Sequence, residues 1–296
     1  MLCPRCCGVN RRQGQRGFCR AGAVPEIFRY APHFGEEPPV SGTRGSGTVF
    51  FSRCTLGCIY CQNFPWSQEG RGETYSTGRL AGMLQDLAAA GCHNWNLVSP
   101  TPWLPAIAEA VAQVKAAGVS LPIVYNTSGY ERVETLRQLE GWVQVYLTDL
   151  RYAEPASAQE GSGAADYVDA AREALGEMWR QTGPLKLDAA GVARQGTICR
   201  LLILPGRAQE AVDNLRWLAE NVGTQIPVSV MAQYLPLHRA GTAGAPWNRR
   251  ISRQEYGQVG AALEEFGFTE GWMQELEDRT SQELIGCEMP EGGVKP

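Results

Sequence analysis

Thr48-Val49-Phe50-Phe51-Ser52-Arg53-Cys54-Thr55-Leu56-Gly57-Cys58-Ile59-Tyr60-Cys61 is an apolar run that reads as a strand, followed by three cysteines spaced by three and then two residues. Three thiolates on one short loop can hold three corners of a [4Fe–4S] cluster and leave the fourth iron without a protein ligand. Zinc is the first competing reading, but a structural zinc ion takes four protein ligands. No further Cys or His lies between His33 and Cys92 to supply the fourth. Three ordinary buried thiols are the other competing reading.

Downstream of this loop the chain alternates between two periods. Leu80, Met83, Leu84 and Leu87 recur at helical spacing, and Trp95 to Val98 reads as a strand. The pattern repeats with the stripe Ile107, Val111, Val114 and strand 121–125, then with Val133, Leu136, Leu139 and strand 143–147. After an irregular stretch come Val168, Ala171, Leu175, Met178 and strand 198–204. Val212, Leu215, Leu218 and strand 228–232 follow, and then a last stripe of Tyr256, Val259, Leu263 and Phe266. Strand-then-helix units in series imply a parallel α/β sheet with right-handed crossovers. Six such units are two short of a closed eight-fold barrel. The expected fold is a partial (β/α)6 barrel of the TIM type over residues 48–275. It carries a cysteine-containing N-terminal extension, 1–47, and a C-terminal tail, 276–296.

The extension is rich in Gly, Pro and Arg and shows little periodicity. Cys3, Cys6, Cys7 and Cys19 in it are enough for a second metal site. Four thiolates suit zinc and an auxiliary iron–sulfur cluster alike, and adjacent Cys6 and Cys7 are awkward joint ligands of one tetrahedral ion, so unligated thiols stay open as well. Gly42, Gly45 and Gly47 lack the Gly-Lys-Ser/Thr ending of a phosphate loop, and the expectation is that they let backbone approach the cluster. Cys92, Cys199 and Cys287 show no ligand spacing and read as ordinary thiols.

Composition narrows the class. The 296 residues are 44% apolar with a net charge of −4, which gives no electrostatic case for nucleic acid or an anionic membrane. No apolar run approaches the roughly 18 residues of a spanning helix, and residues 1–20 have no apolar signal core, so the expected location is the cytoplasm. Ten cysteines in a reducing compartment read as metal ligands before disulfides.

Cys54, Cys58 and Cys61, with Tyr60 before the last, resemble the CxxxCxxC signature of the radical S-adenosylmethionine enzymes. The resemblance implies an enzyme whose open iron chelates S-adenosylmethionine. One electron then cleaves a carbon–sulfur bond, and the 5′-deoxyadenosyl radical abstracts hydrogen from a substrate. The segments CPRCCGVNR and His33-Phe34-Gly35-Glu36-Glu37-Pro38-Pro39 resemble the PflX-like group related to pyruvate formate-lyase activating enzymes. In that group a further cysteine stands three positions before the one matching Cys3, which falls ahead of Met1. Implied partners are a protein or peptide substrate, a glycyl-radical enzyme among them, and a one-electron donor such as flavodoxin or ferredoxin.

Functional groups of a parallel barrel gather where its strands end. Ser99-Pro100-Thr101 stands where related activating enzymes have Gly-Gly-Glu, whose backbone receives the methionine amino group. Ser99 and Thr101 are equally readable as helix caps. Asn126 and Ser128 suit ribose hydroxyls or the methionine carboxylate, with capping again the alternative for Ser128. Asp149 resembles the family's Asp-x-Lys position, with Arg151 as the basic member. Arg200 resembles the Arg of an Arg-x-x-x-x-Pro-Gly segment that binds the methionine carboxylate, or else forms a salt bridge to a carboxylate such as Asp149. Tyr60 and Gln233 complete the candidate cofactor contacts, while His238 reads more simply as a surface residue. The competing class is a non-catalytic iron–sulfur or zinc protein that uses the barrel to bind a partner.

Overall fold

The computed structural model describes residues 1–276; Cys287 and almost all of the tail expected from 276 onward lie outside the described residues. In chain order the elements are β1 (Glu26–His33), α1 (Pro38–Ser41), β2 (Ser46–Phe51), α2 (Phe64–Ser67), β3 (Glu73–Thr74), α3 (Thr77–Ala89), β4 (Trp95–Val98) and α4 (Leu104–Ala116). Then follow β5 (Ile123–Thr127), α5 (Val133–Arg137), β6 (Val145–Asp149), α6 (Pro155–Ser162), α7 (Tyr167–Thr182), β7 (Lys186–Leu187) and β8 (Ala193–Leu202). The series ends with α8 (Ala208–Asn221), β9 (Val228–Met231), α9 (Arg253–Glu265) and β10 (Gly271–Met273).

β2, β4, β5, β6, β8 and β9 pair in parallel in that order, and each is followed by helix, giving the six units of a partial (β/α)6 barrel. β10 adds in parallel beyond β9. At the other edge β1 runs antiparallel to β2 and β3 antiparallel to β1. β10 and β3 therefore end the sheet without pairing, and the barrel stays open on one side. β1 falls in the segment that showed little periodicity: five of its eight residues are buried, Glu26, Ile27 and Phe28 in succession among them, so no alternation marks it.

The strands are buried on both faces, as helices over a parallel sheet require, and β2 and β5 are buried at every position. Val124, Val145, Leu147 and Ile198 fill the barrel interior together with Val40 of α1. Val49, Leu97, Tyr125 and Tyr146 face outward against Leu80, Leu84, Ile107, Val111 and Met178 of the covering helices. Each fully buried Leu or Ile there contributes about 1.5–3 kcal/mol. Helix starts are secured locally: Ser76 caps α3 by accepting from the Arg79 N–H, and Ser252 and Glu255 form a reciprocal capping box on α9. Cys92 and Cys199 are core thiols, 2% and 0% exposed.

Gly42, Gly45 and Gly47 do not approach the cysteine loop. They flank the start of β2, whereas Cys54 follows its end, and six residues of strand span roughly 20 Å. Their small size serves packing instead. A Cβ on Gly42 would stand 2.6 Å from the His93 ring, and one on Gly47 2.6 Å from the Asn94 carbonyl. No helix of the described residues is long and apolar enough to cross a membrane.

Candidate functional site

The cysteine loop sits at the carboxyl end of β2, pinned from several sides. Gly57 N–H donates to the Ser162 carbonyl and Ile59 N–H to the Gly161 carbonyl, which ties the loop to the end of α6. Arg5 of the extension donates to the Thr55 carbonyl, Arg239 to the Gly57 carbonyl and Gln68 to the Cys58 carbonyl. Loop backbone that lacks a ladder partner is thus satisfied by side chains. Leu56 and Tyr60 are anchors, 2% and 5% exposed, and Tyr60 stacks on Trp247 at 5.6 Å.

Each thiol has a donor. Cys54 Sγ accepts from the Leu56 N–H at 3.4 Å, and Cys61 Sγ lies 3.3 Å from Ser67 Oγ. Cys58 Sγ accepts from Arg151 Nη1 at 3.0 Å and from Ser162 Oγ at 2.9 Å. Tyr152 lies 2.7 Å from Ser162 Oγ, and Tyr60 2.6 Å from Tyr152. Because a hydroxyl has one proton to give, Ser162 donating to sulfur fixes the order: Tyr60 donates to Tyr152, Tyr152 to Ser162, and Ser162 to Cys58. Such a chain polarises its members in one direction. Burial pushes the Cys54 thiol up to about 12 and the Cys61 thiol to about 11. A metal cation is what would make these thiolates at neutral pH, with release of their protons.

The thiols open into a cavity of about 470 Å³ that is also lined by Tyr60, Ser99, Asn126, Ser128, Asp149, Arg200 and Gln233. Residues from the ends of β4, β5, β6, β8 and β9 therefore meet the loop after β2 in one space. Ser99 holds a left-handed backbone, φ +56, unusual for a residue with a side chain. Neither Ser99 nor Ser128 caps a helix: α4 is preceded by Trp103 and α5 by Arg132, both without a side-chain cap. Thr101 turns away from the cavity, and its hydroxyl lies 2.5 Å from buried Glu131 and 3.0 Å from Tyr125. His238 stacks on Phe64 at 4.6 Å and does not line the cavity.

Arg200 does not pair with Asp149. Its Nε and Nη2 meet both oxygens of Glu37 at 2.7 Å, Nη2 also contacts Glu36, and Nη1 lies 3.4 Å from Asn126 Oδ1. Glu36 is further held by Asn96 at 2.7 Å. Burial opposes the charge on Arg200, but Glu37 and Glu36 beside it hold the guanidinium well above its ordinary value. Asp149 instead accepts from Arg151 Nε and Nη2 at 3.0 and 2.5 Å, which aims the remaining Arg151 nitrogen at Cys58. The ion-pair role for Arg200 is realised with different carboxylates, because the chain after β1 re-enters the barrel and brings Glu36 and Glu37 to it. Glu36, Glu37 and Ser162 are not among the contacts expected from the sequence, and Arg151, expected beside Asp149 as its basic partner, also reaches Cys58. The acid pair before Pro38-Pro39 was a readable signal, whereas nothing near Ser162 in sequence points to Cys58.

Cys3, Cys6, Cys7 and Cys19 line a separate cavity of about 530 Å³ between the extension and the start of α4. Cys7 Sγ accepts from the Phe18 N–H at 3.4 Å, and Arg11 donates to Cys19 Sγ at 3.5 Å. Among the described residues no three His, Cys, Asp or Glu side chains are grouped so as to hold one metal ion. A tetrahedral zinc ion would need its sulfurs to converge about 2.3 Å from one point, whereas a cluster takes each thiolate on a different iron. The donor set of the 54–61 loop, three thiols with their own hydrogen-bond donors beside a polar cavity, fits a cluster.

No family model matches the chain. It is 27% identical over 265 residues to the uncharacterized protein MJ0674 of Methanocaldococcus jannaschii, covering 86% of this chain and 71% of that protein. Among solved structures it is similar to SuiB of Streptococcus suis (12% identity, 76% of this chain and 47% of that chain, TM-score 0.49). It is also similar to native anSMEcpe with bound AdoMet (10% identity, 73% and 58%, TM-score 0.48) and to native anSMEcpe with bound AdoMet and the Cp18Cys peptide (10%, 73% and 56%, 0.49). The chain spans about half the length of these solved structures.

Proposed function

We propose that the chain is a radical S-adenosylmethionine enzyme, with Cys54, Cys58 and Cys61 holding a [4Fe–4S] cluster. The observation that carries this reading is the opening of all three thiols into the cavity where the polar strand ends converge. Bound there, the cluster and S-adenosylmethionine would together supply reductive carbon–sulfur cleavage and hydrogen abstraction.

The chain's own residues have defined parts in this reading. Arg151 and the Tyr60–Tyr152–Ser162 chain direct hydrogen bonds at Cys58 Sγ, which favours the more negative, reduced state of whatever that sulfur ligates. Asn126, Ser128, Gln233 and Ser99 offer amide and hydroxyl groups for the nucleoside and amino-acid ends of the cofactor. Arg200 gives one edge to Glu37, and Nη1, which donates one N–H to Asn126 Oδ1 at 3.4 Å, has a second N–H to offer an anionic group. Thr101 supports the wall from behind through Glu131. The apolar walls, among them Phe50, Trp66 and Trp272, limit water in the cavity. A protein or peptide is the substrate class we favour, in line with the PflX-like resemblance.

Anaerobic reconstitution with iron and sulfide, followed by reduction, tests the proposal. 5′-Deoxyadenosine and methionine should form from S-adenosylmethionine, and Cys58→Ala should abolish both. A protein that assembles its cluster yet neither binds nor cleaves S-adenosylmethionine would be a binding module instead.

A further inference from the structure

Residues 1–20 contain no buried residue, and their one regular element is a 3₁₀ turn, Arg11–Gln13, that buries nothing either. Pieces of chain too small to bury a core are held by disulfides or by metal. Cys3, Cys6, Cys7 and Cys19 all stand in this stretch, and all line one cavity of about 530 Å³ together with Pro102, Trp103 and Pro105. Two turns carry the thiols there. In the first the Cys6 N–H donates to the Cys3 carbonyl at 3.2 Å, and in the second the Arg20 N–H donates to the Gly17 carbonyl at 3.0 Å. The turns touch: the Phe18 N–H donates to Cys7 Sγ at 3.4 Å, and a Cβ on Gly17 would stand 2.8 Å from that sulfur. Arg11 donates both to Cys19 Sγ, at 3.5 Å, and to the Pro102 carbonyl. Cys6 differs, because its Sγ turns back on its own turn, 3.7 Å from the Cys3 carbonyl.

We propose that Cys3, Cys7 and Cys19 hold a second iron–sulfur cluster whose role is structural, stapling the two turns to each other. This site does not depend on the radical reading, since none of its ligands belongs to the 54–61 loop. No three side chains here meet at one point as a zinc ion requires. The thiols of the 54–61 loop do not converge on one ion either, and in both places hydrogen-bond donors face sulfurs set around an open space. A cluster takes such a set, one thiolate to each iron. The fourth iron takes a ligand from solvent, since Cys6 is turned away, and each ligating thiol gives its proton to solvent. Charge agrees: Arg5, Arg11 and Arg12 line the cavity, and residues 1–20 hold no Asp or Glu to oppose an anionic cluster. An inorganic anion would be drawn by the same arginines but would leave the thiols and their donors without a part. The stapled first turn carries Arg5, which donates to the Thr55 carbonyl at 3.0 Å and the Gly163 carbonyl at 2.5 Å and so ties the extension to the barrel.

The full chain carrying Cys54→Ala, Cys58→Ala and Cys61→Ala, reconstituted anaerobically with iron and sulfide, isolates this site. It should bind iron and inorganic sulfide in roughly equal amounts, as a cluster does, and adding Cys7→Ser and Cys19→Ser should abolish both. In the loaded wild type, iodoacetamide should label Cys6 and spare Cys3, Cys7 and Cys19. Trypsin should cut after Arg11, Arg12 and Arg16 at least about tenfold more slowly before chelation of the iron than after it. A triple variant that binds no metal overturns the proposal, as does one that takes zinc and no sulfide. So does equal labelling of all four thiols in the loaded wild type, or a disulfide among them in protein purified without oxygen. None of these readouts uses S-adenosylmethionine, so the radical reading can fail without touching them.

Discussion

Replacing Glu131 with glutamine isolates one buried carboxyl whose ionisation the fold resists. Glu131 is 2% exposed just beyond β5; one oxygen accepts the hydroxyls of Thr101 and Thr127, each at 2.5 Å, and the other has no partner. Burial pushes its pKa from 4.5 up to about 7, against the pull of those hydroxyl bonds. Below pH 4.5 the group is protonated in both the folded and the unfolded chain, and its contribution to stability is fully present. Between pH 4.5 and 7 the unfolded chain releases the proton while the folded protein keeps it. Stability then falls by about 1.4 kcal/mol per pH unit, to a total loss of about 3 kcal/mol by pH 8. Glutamine cannot ionise, and its carbonyl can accept both hydroxyls. Urea unfolding of the reduced protein at pH 5, 6, 7 and 8 should show the two proteins within about 1 kcal/mol at pH 5. The variant should pull ahead as pH rises, by up to about 3 kcal/mol at pH 8. Parallel profiles for wild type and variant would refute the argument, since they would mean that the carboxyl ionises at its ordinary pKa.

Arg200→Leu should leave Glu36 and Glu37 buried without their counter-charge and cost about 3–5 kcal/mol in urea unfolding; a wild-type midpoint would show that the pair does not hold the segment after β1. Ser162→Ala removes the hydroxyl from Cys58 Sγ, so the reconstituted protein should have a more negative midpoint potential, and an unchanged potential in a spectroscopic titration would contradict this. Gly129→Ala combines φ +80 with a Cβ only 2.3 Å from the Asp149 carbonyl, whereas Gly163→Ala has φ +64 and open space around it. The second should cost about 1–2 kcal/mol for the left-handed backbone alone. The first should cost clearly more, and equal costs would show that the Gly129 turn shifts freely.

The parts of the fold written in short-range spacing were legible in the sequence. The six parallel strands appear where the period changes from helical to extended, with β4 at Trp95–Val98 as expected and β5 and β6 starting two residues late. At β5 the displacement has a local cause, since Pro122 has no N–H to give a ladder. β1 escaped notice because a strand covered on both faces lacks alternation and because Pro32 interrupts its end. The capping alternative for Ser128 failed because the chain runs four residues further before α5 starts, which leaves that residue in the cavity wall.

The sequence by itself determined that three thiols stand together: three cysteines within eight residues must share one loop whatever the rest of the chain does. It also determined the barrel, because apolar period is a local property of the chain. The tertiary structure alone decided which groups face those thiols and which carboxylates hold the arginine. Ser162 reaches Cys58 across 104 residues and Arg200 reaches Glu36 across 164. Such pairs are set by the curl of the open sheet and by the return of the chain after β1 toward β8. Neither leaves any mark in the residues beside them, since a serine or a glutamate carries no spacing code until the backbone brings it to its partner.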